Sequence, residues 1–140
     1  MQSIEFFYDL RSPYTYFAWC RKSLVSSSKF ELRPRPVSIS ILLNLQAGRE
    51  PWAAYQDPLC SAKRDHLMND IPRMASYWNI PLSWPPDFKP QSTRAMCLAT
   101  ALHSSGANHE EFIDTALKLL WVENCDLETP VTYGKLLKLA

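Results

Sequence analysis

Ser12 is the residue in this 140-residue chain whose type and place could do chemistry. It follows Ile4-Glu5-Phe6-Phe7-Tyr8-Asp9-Leu10, an aromatic-rich run with apolar groups on both faces, and it stands directly before Pro13. Serine followed by proline starts a helix: the hydroxyl oxygen caps free N–H groups, and proline suits the first helical position. A hydroxyl is thereby placed at unpaired N–H groups and the positive end of a helix dipole. A cysteine at such a place becomes a thiolate. A serine cannot exchange electrons, but it can donate a hydrogen bond to a thiolate that a ligand brings. The same serine could serve only as a helix cap, and the local sequence leaves both readings open.

The other reactive side chains are less pointed. Cys20, Cys60, Cys97 and Cys125 lie far apart without a C-x-x-C pair, which argues against a zinc site and a dithiol redox centre. They are expected as free, mostly buried thiols in a reducing compartment. Asp70 and Arg73, at i and i+3 of a helix, fit a surface ion pair of small worth. A net charge of +1 gives no footprint for nucleic acid or an anionic membrane. No apolar run reaches membrane-spanning length. The first residues carry no cationic leader segment, so a cytoplasmic location is expected.

The elements that position Ser12 follow from periodicity. Residues 4–10 read as a strand buried on both sides, and Tyr16, Phe17, Cys20 and Leu24 recur at helical spacing until the serine run 26–28. Phe30-Glu31-Leu32-Arg33 alternates as a second strand that Pro34 and Pro36 should end. Strand, helix and strand in 36 residues make a right-handed βαβ unit with parallel strands. The rest reads helical: 39–47, 61–78 with a kink at Pro72, a start at Ser92 or Thr93, a near capping box at Asn108 and Glu111, and a last start at Thr129-Pro130. Residues 80–90, with four prolines, read as an extended surface loop. Three glycines against eleven prolines mean that the chain turns largely through proline and Asx chemistry. Two parallel strands are too few for a stable sheet, so either the chain is cut short or another chain supplies the missing strands.

Phe6-Phe7-Tyr8-Asp9 followed by Ser12-Pro13-Tyr14-Thr15-Tyr16 resembles the opening of the 2-hydroxychromene-2-carboxylate isomerases and kappa-class glutathione transferases, in the DsbA-like branch of the thioredoxin superfamily. The resemblance continues in Arg35-Pro36, in Lys63 with Asn69-Asp70-Ile71-Pro72-Arg73, in Ile80-Pro81-Leu82 and in Trp84-Pro85. The seven-residue spacings from Lys63 to Asp70 and from Arg73 to Ile80 are more like the isomerases than the transferases.

The resemblance implies an α/β, thioredoxin-like fold. Residues 1–38 would be the N-terminal βαβ half, residues 39–140 a large α-helical insertion, and the C-terminal strands would be missing. It implies glutathione as cofactor, with Ser12 the catalytic serine holding its sulfur and Lys63 contacting one of its carboxylates. Asp70 and Arg73 match family positions expected to shape the substrate site. Members commonly carry an asparagine after the glycine that is Gly48 here; Arg49 replaces it, and would meet a carboxylate with different geometry. The implied reaction interconverts 2-hydroxychromene-2-carboxylate and trans-o-hydroxybenzylidenepyruvate during aromatic degradation. The alternatives are a kappa-like transferase or glutathione-binding module, or an inactive truncated member. The implied partners are a small-molecule substrate and, compatibly, a second copy in a homodimer; nucleic acid and membrane are not among them.

Overall fold

The computed structural model describes residues 2–26, 29–83 and 91–139. The expected end of the first helix at the serine run and the proline loop of 80–90 lie partly outside these residues. Strand β1 (Gln2–Tyr8) leads into helix α1 (Pro13–Cys20) and a short 3-10 turn, Lys22–Leu24. Strand β2 (Phe30–Pro36) follows, then helices α2 (Ile39–Gln46), α3 (Ser61–Tyr77), α4 (Thr93–Ser104), α5 (Glu110–Trp121) and α6 (Pro130–Leu137).

The strands pair in parallel, from Gln2 beside Phe30 to Tyr8 beside Pro36. β2 thus runs through both prolines expected to end it. The reason lies in the ladder. Gln2 N–H donates to Lys29 O at 2.9 Å, and Val37 N–H donates to Tyr8 O at 2.9 Å. Parallel bonds alternate, so odd residues of β2 turn their backbone groups toward β1 and even residues turn theirs away. Pro34 and Pro36 occupy outward positions and cost no ladder bond.

Ile4, Phe6 and Tyr8 of β1 point toward the helices and become more buried along the strand, whereas Ser3, Glu5 and Phe7 are exposed. Phe6 lies 5.6 Å from the Trp19 ring, and Tyr8 lies 6.3 Å from the His109 ring. The core gathers Tyr8, Leu10 and Phe17 of the βαβ segment with Ile71, Phe112, Leu117, Trp121 and Leu136 of the helical segment. Helix α5 supplies more of it than any other element, since its apolar residues recur at helical spacing on one wide face. Trp121 closes the packing by donating its indole N–H to Leu10 O at 3.0 Å.

The helix interior and helix ends keep the expected chemistry, and the cysteines depart from expectation. Helix α3 continues through Pro72 to Tyr77, with proline unable to serve the carbonyl of Met68. It ends on Asn79 at φ +53°, and Asn124 takes the same left-handed turn after α5, which is the Asx chemistry that a glycine-poor chain uses. The cysteines are not buried: Cys20, Cys60 and Cys97 are exposed and Cys125 is half-buried. Cys125 packs against the edge of the core from the loop after α5. On α4 the core takes Ala95, Met96, Ala99 and Leu102 and leaves Cys97 outside.

Candidate functional site around the start of helix α1

The chain leaves the sheet at Tyr8 and turns within four residues into α1. Ser12 N–H donates to Asp9 O at 3.0 Å, which closes that turn. Ser12 itself is extended, at φ −87° and ψ 119°, and its Oγ accepts the Thr15 N–H at 3.3 Å while Pro13 takes the first helical place. The capping reading therefore holds. It uses only a lone pair of the hydroxyl, and the O–H proton remains available to a ligand. Ser12 is half-buried, open enough to meet one. Thr129 and Pro130 repeat the arrangement at α6, with Thr129 Oγ accepting the Thr132 N–H at 3.3 Å.

Asp9 fixes this turn. It is only 5% exposed. Its Oδ1 accepts the Arg11 N–H at 3.1 Å and the Ser92 hydroxyl at 3.1 Å, and its Oδ2 accepts the Ile39 N–H at 2.9 Å. One carboxylate thus ties the β1–α1 turn to the first residue of α2 and to the residue preceding α4. Ser92, read from sequence as a helix cap, gives its hydroxyl to Asp9 and makes no cap bond. Sequence reasoning missed both roles. The available signal was an acidic residue ending an apolar strand three places before Ser12.

The flanks are cationic and aromatic. Arg11 donates from Nη1 to Ser40 Oγ at 2.7 Å and lies 4.5 Å over the Tyr55 ring. Tyr14 Oη donates to Asp70 Oδ2 at 3.3 Å, joining α1 to α3. Asp70 is ion-paired with Arg73, as the i,i+3 spacing suggested. The bond from Arg73 holds the Asp70 carboxyl below its ordinary range, and partial burial, then Asp70, push the Tyr14 phenol up.

The sequence-predicted residues divide into two groups. Asp70 reaches α1 directly through Tyr14, and Arg73 through Asp70. Lys63 stands on the same stripe of α3 two turns earlier, about 10 Å along the axis; it is exposed and makes no ion pair among the described residues. Arg49 bonds from Nη1 to Gln56 Oε1, and its Nε is buried without a partner among the described residues. The structure shows no direct contact from Lys63 or Arg49 to Ser12. The 47–60 loop itself reaches the turn through Tyr55, which lies under Arg11. Among the described residues no group of three metal-binding side chains forms.

A cavity of 390 Å³ opens at the other end of α1, bounded by Tyr16, Cys20, Lys22 and Asp114. Its charges are spent on each other: Lys22 pairs with Glu110 at 3.1 Å and with Asp114 at 3.6 Å. Partial desolvation of its sulfur pushes the Cys20 thiol up, away from the thiolate form, although the residue as a whole is exposed.

A strand that hands over to a capped helix carrying the candidate group at its N-terminus is the thioredoxin arrangement, and residues 3–138 match the model of the DSBA-like thioredoxin domain. The chain belongs to that family. It is also similar to human glutathione S-transferase kappa 1, 26% identical over 129 residues, and to the Caenorhabditis elegans protein of the same name, 27% identical over 126 residues. Those matches take in 86% and 85% of this chain and 52% of each relative, so the chain spans about half the length of the curated relatives it matches. Among the described residues no helix is long and apolar enough to cross a membrane.

Proposed function

We propose that this DSBA-like chain binds glutathione with its sulfur at Ser12, and that the bound thiolate adds reversibly to an unsaturated aromatic keto acid. The observation that carries the reading is the Ser12 hydroxyl, which accepts the Thr15 N–H and keeps its proton for an anion at the N-terminus of α1.

The magnitudes suffice. A free thiol with pKa about 8.5 is a few per cent ionised at neutral pH. Lowering it by about two units needs roughly 2.7 kcal/mol. The helix end supplies about 0.3–1 kcal/mol, rising to about 2 where partly buried. A hydroxyl bonded to a charged acceptor adds roughly 1.5–3 kcal/mol. Neither alone is dependable, and together they reach the target.

The thiolate adds to the conjugated carbon of trans-o-hydroxybenzylidenepyruvate, or of a relative, and the electron pair moves to the keto oxygen as an enolate. The former double bond is then single and rotates. The enolate collapses, the carbon–sulfur bond breaks and the thiolate returns to Ser12. Nothing is oxidised or reduced, and the phenol closes on the keto carbon to give 2-hydroxychromene-2-carboxylate. In this reading Lys63 and Arg49 receive glutathione carboxylates, and Asp70 and Arg73, through Tyr14, border the organic substrate. Four unpaired cysteines and a need for reduced glutathione fit a cytoplasmic setting. A second reading, compatible with the named relatives, has the same thiolate form a stable conjugate, as a transferase would make.

Calorimetry with glutathione and the thiolate absorbance of the bound ligand test the shared step. Ser12→Ala should weaken binding and raise the bound thiol pKa by one to two units, roughly the share assigned to one charged hydrogen bond. Unchanged affinity and absorbance would refute the role of Ser12. Turnover of the chromene without net glutathione consumption selects isomerase; stoichiometric consumption selects transferase.

A further inference from the structure

Arg11 stands directly before Ser12 and keeps its charge uncompensated. The residue is half-buried. Its Nη1 donates to Ser40 Oγ at 2.7 Å, and its guanidinium carbon lies 4.5 Å over the Tyr55 ring. Ser40 is in α2 and Tyr55 in the 47–60 loop, so both groups that hold Arg11 come from the segment after β2. Both are neutral: they orient the guanidinium without cancelling its charge. Two carboxylates stand nearby, and both are occupied. Asp9 accepts the Arg11 backbone N–H, the Ile39 N–H and the Ser92 hydroxyl. Asp57 feels the Arg11 charge, but its oxygens accept from the Leu59 N–H at 2.9 Å and from Arg64 Nε at 2.9 Å. Among the described residues the Arg11 guanidinium makes no ion pair.

We propose that Arg11 receives the carboxylate of the electrophile and makes the site selective for anionic substrates. The inference rests on the reading in which a glutathione thiolate sits at Ser12. There the two glutathione carboxylates go to Lys63 and Arg49, and the keto acid brings a third. In an unsaturated 2-keto acid that carboxylate lies three bonds from the carbon that sulfur attacks, a span close to the ~3.8 Å between consecutive Cα atoms. With sulfur at Ser12, it is within reach of the neighbouring residue. A guanidinium suits it, because the planar fork donates two parallel N–H bonds to a carboxylate. Arg11 gives one N–H to Ser40 and has others left. The Ser40 bond and the Tyr55 ring fix the fork before substrate arrives, which lowers the ordering cost of binding. Tyr14 suits the opposite end. Its ring is exposed, its hydroxyl is engaged with Asp70, and Asp70 is already matched with Arg73. The acid end of the substrate therefore turns to Arg11 and the aryl end to Tyr14. A neutral electrophile gains nothing from Arg11.

Two saturated probes test this without turnover: 4-phenyl-2-oxobutanoate, which carries the carboxylate, and 4-phenylbutan-2-one, which lacks it. Calorimetry on the 140-residue chain, with and without excess glutathione, should show the acid bound about tenfold or more tighter than the ketone. Arg11→Gln should weaken acid binding by about tenfold to a hundredfold, the worth of a charged hydrogen bond, and leave the ketone and glutathione affinities as they were. Arg11→Lys keeps the charge and loses the fork, so it should fall between the two. Should Arg11→Gln fail to fold, Arg11→Lys and the wild-type preference decide. A wild type that does not bind the acid, or binds acid and ketone equally, would overturn the proposal. So would a folded Arg11→Gln chain that binds the acid at wild-type strength, or one that loses glutathione affinity instead. Failure of the underlying reading looks different: Ser12→Ala would leave glutathione affinity unchanged, while an Arg11-dependent preference for the acid, measured without glutathione, would stand.

Discussion

Replacing Asp9 by Asn keeps the shape of the side chain and removes its charge. Asp9 accepts three hydrogen bonds, from Arg11 N–H, Ile39 N–H and the Ser92 hydroxyl. An amide offers one oxygen, so either the Ile39 N–H or the Arg11 N–H and Ser92 hydroxyl must face an NH₂ group. The gentler orientation leaves the Ile39 N–H against a donor, and an unsatisfied buried donor costs about 1–3 kcal/mol. The two remaining bonds lose their charge assistance, which roughly halves them, at about 1 kcal/mol each. The sum is about 3–5 kcal/mol, a large part of the roughly 5–15 kcal/mol that holds a domain together. Urea unfolding followed by circular dichroism should show the midpoint falling by about 2 M for a mid-range m-value of about 2 kcal/mol/M. Ser92→Ala gives up a single bond and should lose clearly less. An Asp9→Asn chain within about 0.5 kcal/mol of wild type, the range of a bland surface substitution, would refute the claim that this carboxylate fixes the turn before Ser12.

Acid should act through Asp70, whose folded-state carboxyl is held low by Arg73 and Tyr14. A depressed pKa adds stability above the unfolded value of about 3.9, and that increment is lost as pH falls through the lower folded value. Asp70→Asn should therefore flatten the acid limb of a stability-against-pH curve, and an unchanged limb would contradict it. Cys20 should alkylate more slowly at mildly alkaline pH than a free thiol reference, because partial desolvation of its sulfur raises its pKa; mass spectrometry of iodoacetamide adducts reads this, and a rate equal to or above the reference would count against it. Together with the Ser12 experiments, these outcomes bear on separate parts of the molecule.

Local chemistry wrote the opening of this protein. Ser12-Pro13 specified a capped helix start, the aromatic run before it a strand, and Phe30 to Arg33 a parallel partner, because caps, proline φ and alternation act over a few residues. The i,i+3 pair of Asp70 and Arg73 was legible for the same reason. The expected cover on both faces of the first strand is not there among the described residues: the helices pack on the Ile4, Phe6 and Tyr8 face, and Ser3, Glu5 and Phe7 stay exposed. Tertiary structure decided what those signals could not contain. Pro34 and Pro36 stay within β2 because the pairing register turns them outward, and register is a property of two strands. Asp9 became the tie between β1, α2 and α4 because residues 30 and 83 places away deliver their donors to it. Cys97 lies outside the core because α4 rotates Ala95, Met96, Ala99 and Leu102 inward. Sequence spacing gave Lys63 and Asp70 one stripe of α3, but only packing through Tyr14 brought that stripe to the helix that carries Ser12.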